Sequence, residues 1–198
     1  MASATIEKVV ATIKDERVHF EAFCRSLSAE ELERMVPPDD KWSVKDFAAH
    51  LGSLDTEMIR WFDGVAAGDP DQPRVGTDGT SFNIDHWNDR IVAKRHDWTL
   101  DKIFEEAAAN RTNLIASLEK LSEENVESIA HFGGDNKRPG ADIPLKLFLL
   151  GWAHHDAIHV ADMLKALPEH ADDPTIREWL NHPAVAWYQN AMAGPAVR

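Results

Sequence analysis

Four long stretches of this chain carry apolar residues at the three-and-four spacing of a single helix face, a periodicity that leaves little room for any fold but a helical one. The first runs from about Thr5 to Leu27 with Ile6, Val9, Val10, Ile13, Val18, Phe20, Phe23, Cys24 and Leu27, a helical spacing with some drift. The second opens at Ser43 and lines up Phe47, His50, Leu51, Leu54, Met58, Trp61, Phe62 and Val65. The third extends from near Phe82 to about Leu121. A break is expected near Asp97, because Thr99 offers a fresh N-cap. Its second half, through Ile103, Phe104, Ala107, Ala108, Arg111, Leu114, Ile115, Leu118 and Leu121, is plainly amphipathic. The fourth begins around Pro144, a suitable first-turn proline, and carries Leu147, Phe148, Leu150, Gly151, His155, Ile158, His159, Asp162 and Met163 until Pro168 stops it.

The punctuation between these stretches agrees. Ser28-Ala-Glu-Glu has capping-box form, and Ser43 with Asp46 three residues on has a similar one. Pro37-Pro38-Asp39-Asp40 breaks the chain, and residues 68–81, rich in Gly, Pro and Asp, read as a surface loop. Glu123 to Asp142 reads as a connection with a turn at Gly133-Gly134-Asp135-Asn136. In the tail, Asp172-Asp173-Pro174 and Asn181-His182-Pro183 each open a short helix. The expected architecture is all-α: a four-helix bundle over residues 1–168, with a C-terminal helical extension over 169–198 packed on it.

A length of 198 residues suits one domain with an appendage, and 43% hydrophobic residues suffice for a core. The formal charge of -13 repels phosphate backbones and anionic lipid, so neither nucleic acid nor membrane is an expected partner. Cys24, the single cysteine, excludes an internal disulfide and a zinc knuckle. The N-terminus lacks the apolar region of a secretory signal, and no run reaches the ~18 apolar residues of a membrane span. A cytoplasmic location is the corresponding expectation.

His155 and His159 stand four apart on the fourth helix. Four residues turn the helix by about 400°, which puts both rings on one face with β-carbons about 6 Å apart. Such a pair can grip one ion from adjacent positions. Taken alone, it is equally well read as one core and one surface histidine, since ten histidines make the spacing common. His50 alters the balance. It lies between Phe47 and Leu54 on the apolar side of the second helix, where a bare imidazole needs partners for two ring nitrogens. A shared cation satisfies three inward histidines at once, and bundle interiors are where such sites are built.

These residues also carry a resemblance. The stretch from Trp42 through Ser43 to His50 and Leu51 resembles the opening of the second helix in the DinB-like (YfiT-like) metalloprotein superfamily, where a metal-binding histidine follows the tryptophan by eight residues. His155-Asp156-Ala157-Ile158-His159 is similar to that family's HxxxH helix, and Trp87-Asn88-Asp89-Arg90 to the third helix of some members. The resemblance spans roughly residues 5 to 167; residues 170–198 have no counterpart in it. It implies an up-down-down-up bundle and a three-histidine site, His50, His155 and His159, for one divalent ion, zinc or nickel. Some relatives are transferases or isomerases that use a low-molecular-weight thiol as cosubstrate, others resemble hydrolases, and the family name does not imply DNA binding.

Three neutral imidazoles leave the ion its full charge and open positions, so water or a thiol becomes nucleophilic near neutral pH. The functional expectation is therefore a divalent-metal-dependent transferase or hydrolase acting on a small electrophilic substrate. The alternative is a non-catalytic protein that sequesters a small toxic molecule or a metal. No catalytic base is assigned. Glu57, two turns past His50, reads better as a solvated carboxylate, and Asp46 as a cap. Asp162, three past His159, is an even choice between orienting that ring and lying on the surface. His154 and His86 rank low as a ligand and as a mouth residue. Cys24 reads as a core residue. Trp179, Trp187 and Tyr188 either pack the tail over the bundle or form a homodimer contact, with packing preferred.

Overall fold

The computed structural model describes residues 3–71 and 82–193, and among them it is predominantly helical. The long elements begin where side-chain caps meet the apolar periodicity. Helix α1 (Ala4–Ser26) is capped by Ser3, whose hydroxyl accepts from the Thr5 and Ile6 N–H groups. Ser28 and Glu31 form a full capping box on the single turn α2 (Ala29–Leu32). Ser43 and Asp46 do the same for α3 (Val44–Ala66). The third region divides as its sequence implies: α4 (Ile84–Ala93) ends, and Thr99 caps α5 (Leu100–Leu118). Most of the loop expected at 68–81 lies outside the described residues.

Two local expectations need correction. The connection from Glu123 to Asp142 holds a capped turn, α6 (Glu123–Val126), and an antiparallel hairpin, β1 (Ile129–Phe132) with β2 (Ala141–Pro144). Ile129 pairs with Pro144 and Phe132 with Ala141, and only Ala130 and Phe132 of β1 turn inward. Four residues are too few for such alternation to stand out in a sequence. The fourth helix is also two segments, α7 (Leu145–Trp152) and α8 (His155–Met163). Between them the Ala153 N–H still reaches Leu149 O, but His154 bonds one residue short, to Gly151 O. A 3₁₀ turn at Pro168–His170 then leads to α9 (Pro174–Leu180) and α10 (Pro183–Ala193), opened at the two prolines expected.

Helices α1, α3, α5 and the α7–α8 pair bury two apolar clusters. One gathers Ile13, Phe62, Leu114 and Leu149 with the hairpin residue Phe132. The other gathers Phe20, Leu51, Ile103 and Met163. The axes of α3 and α5 come very near each other at Gly52, where a β-carbon would stand 3.0 Å from that of Ala107. Buried charged residues from all four helices meet in ion pairs: Arg17 of α1 with Asp156 of α8, and Arg111 of α5 with Asp55 of α3. The apolar core is thus cut by a charged layer, and the histidines of α3 and α8 sit beside it.

Candidate metal centre

The Ser43 cap sets the phase of α3, and two turns in, that phase turns His50 inward to 4% exposure. On α8 the four-residue spacing brings His155 and His159 to the same face. Ring centroids lie 4.5 Å apart for His155 and His159, 5.3 Å for His50 and His159, and 6.1 Å for His50 and His155. Each ring offers one nitrogen such that all three lie within 4.8 Å of one another. Among the described residues no fourth His, Cys, Asp or Glu joins this group.

The electrostatics favour free lone pairs. Burial, and secondarily the nearness of His159, lowers the pKa of His50 to about 3. Burial also holds His155 well below the ordinary histidine range, helped by His159, His50, Arg111 and Arg17. Both rings are neutral at pH 7, the form that ligates metal. His50 Nδ1 is buried without a hydrogen-bond partner, a costly state for an imidazole nitrogen unless something coordinates the ring. His159 Nδ1 lies 3.3 Å from Asp162 Oδ2, which leaves Nε2 to face its neighbours. Burial pushes the Asp162 carboxyl up, but its bonds to His159 and Lys165 outweigh this and its pKa falls. Asp162 is thus placed to orient a ring. An all-nitrogen, three-donor set fits a zinc- or nickel-like ion and suits calcium or magnesium poorly.

The charged layer beneath His155 was not anticipated. Arg17 Nε and Nη2 donate to the two oxygens of Asp156 at 2.8 and 3.2 Å, and Nη2 also reaches Leu51 O. Arg111 Nε donates to Asp55 at 2.7 Å and Nη1 to Ile13 O at 2.8 Å, with Nη2 3.6 Å from Asp156. Burial raises the Asp156 carboxyl, yet two arginines outweigh it and the pKa is lowered; Asp55, bonded to one arginine, is raised by burial. The available signal was phase: each residue occupies a core position of its helix, and Arg111 stands inside an apolar run.

The remaining candidates fall elsewhere. His154 Nδ1 donates to Glu16 Oε1 at 2.7 Å, and the ring stacks on His182 at 3.6 Å. His86 is exposed on α4. Glu57 faces Arg60 at 3.7 Å, and Asp46 completes the α3 cap. Cys24 is buried, and burial raises its thiol far above reactivity. Where the triad meets solvent it is edged by half-buried aromatics. Trp42 lies 5.1 Å from His50, Phe47 5.5 Å from His159, and Tyr188 of α10 6.0 Å from His159. Trp42 is pinned by a 3.1 Å bond to Asp89. Burial pushes the Tyr188 phenol up to about 12.

Fold and site together define an all-α protein with a three-histidine cluster able to hold a metal ion. The DinB superfamily model matches residues 12–163, most of the chain, and the chain belongs to that superfamily. No curated protein and no solved structure matches it. None of the described helices is long and apolar enough to cross a membrane.

Proposed function

We propose that His50, His155 and His159 hold one divalent cation, zinc or nickel, and that the protein is a metal-dependent transferase or hydrolase. Its nucleophile is water or a low-molecular-weight thiol, and its substrate a small electrophile. The observation that carries this is three ring nitrogens within 4.8 Å of one another, with no fourth protein donor among the described residues. An ion in such a site supplies Lewis acidity and favours the deprotonated form of water or a thiol at neutral pH. The chain's own part is arrangement. Asp162 holds His159 by Nδ1, the charged layer supports α8 under His155, and Trp42 and Phe47 limit water at the rim.

The test is elemental analysis of the purified protein, followed by turnover of small electrophiles with and without an added thiol. Stoichiometric metal with thiol-dependent or hydrolytic turnover supports the reading; protein that takes up no ion defeats it. A second reading, sequestration of a small molecule without turnover, is favoured by the carboxylates. Asp162 is occupied by His159, Lys165 and Gln189, and Glu57 faces Arg60, so neither is a free base. Stoichiometric binding of a ligand that is recovered unchanged distinguishes it.

A further inference from the structure

The family match ends at Met163, so the extension that follows lies outside it. The extension nevertheless reaches the surroundings of the triad at several points. Trp179 Nε1 donates to Glu16 Oε2 at 2.8 Å, and His182 stacks on His154. Val185, 5% exposed, packs with Ala157 and Ile158, the residues between the two histidines of α8. One turn further along α10, Tyr188 meets the His159 ring at 70°. Gln189 donates to Asp162 Oδ1 at 3.3 Å, the carboxylate that also faces His159. Tyr188 is therefore held in place by its neighbours, yet its hydroxyl makes no hydrogen bond to another described residue. That hydroxyl is not one of the buried polar atoms left without a partner, so it opens to solvent and is free to donate to a bound ligand.

We infer that Tyr188 is a ligand-contacting residue of the metal centre: α10 walls the open side of the triad, and the phenol donates to an anionic group bound there. This rests on the three histidines being metal ligands. The ligand class follows from the rim. Trp42, Phe47 and Tyr188 suit a small flat apolar body, and the phenol suits one anionic oxygen, sulfur or nitrogen at its head. The substrate pocket of this chain would then be shaped in part by a segment outside the family match.

The full-length protein loaded with cobalt(II), titrated with azide and followed by its visible absorption, tests this. Wild type should bind azide with a change in the cobalt bands. Tyr188→Phe should keep cobalt stoichiometry and melting temperature but bind azide about ten-fold more weakly, the effect of losing one hydrogen bond to a charged group. Trp187→Phe, at the exposed neighbour on α10, should bind like wild type. Equal azide affinity in wild type and Tyr188→Phe overturns the inference while leaving the metal site standing, as does cobalt-loaded wild type that binds no azide. Wild type that takes up no cobalt overturns both.

Discussion

Two groups of ligand-type side chains occur among the described residues: His50, His155 and His159 in the bundle, and Glu31, Glu169 and His170 where α2 meets the 3₁₀ turn. They look alike as clusters, but their donor atoms differ in what they already do. Glu31 completes the α2 capping box and meets His170 Nε2 at 2.7 Å, while Glu169 pairs with Arg34. Those lone pairs are spent on protein cations and N–H groups. In the bundle, no cation or amide among the described residues bonds the ring nitrogens of His50 or His155, and the buried Nδ1 of His50 stands unpartnered. An ion site needs lone pairs that the fold has collected and left unspent.

The comparison breaks most sharply on metal content. His50→Ala or His159→Ala should abolish stoichiometric metal in elemental analysis, and His170→Ala should leave it at the wild-type level. Retention in the first two, or loss in the third, would reverse the contrast. Next in size is the charged layer under the triad, which the surface cluster lacks. Asp156→Asn leaves Arg17 short of its buried partner and should cost about 3–5 kcal/mol in denaturant unfolding. Glu31→Gln should cost far less.

A smaller effect concerns the carboxylate that orients His159. Asp162→Asn should weaken metal binding about 10- to 100-fold in competition with a chelator. The melting temperature of chelator-treated protein should barely change. The pH dependence of chelator-treated protein completes the set. His50 has a folded pKa of about 3 against an ordinary 6.5, so from 6.5 downward the unfolded chain binds a proton that the folded chain does not. Stability is therefore unaffected above 6.5 and falls as pH drops toward 3, by at most about 1.4 kcal/mol per pH unit for this group. Glu31, lowered from 4.5 to about 2 chiefly by its bond to His170, stabilises above 4.5 and loses that contribution only as pH falls toward 2. Melting curves should show His50→Asn flattening the profile between pH 6.5 and 4, and Glu31→Gln altering it only below 4.5.

The histidine triad was legible because two of its members share one helix and the third sits in an apolar stripe. Both are patterns within about two helical turns. The caps at Ser28, Ser43 and Thr99 were legible for the same reason, since a cap and its N–H groups are three residues apart. The hairpin escaped notice because its strands are four residues each, and the break at His154 because no proline or glycine marks that residue. The charged layer escaped because a buried arginine and a solvated one read alike until a partner is assigned.

By itself, then, the amino-acid order determined where helices start, which faces turn inward, and which histidines share a face, because helical periodicity is a local property of the chain. Only the tertiary structure decided what those faces meet. Arg17 finds Asp156 across 139 positions, and Arg111 finds Asp55 across 56. Tyr188 comes to rest against His159 from beyond the end of the family match. Such pairings depend on helix register and crossing, which are settled by the packing of whole faces rather than by any residue's neighbours in sequence.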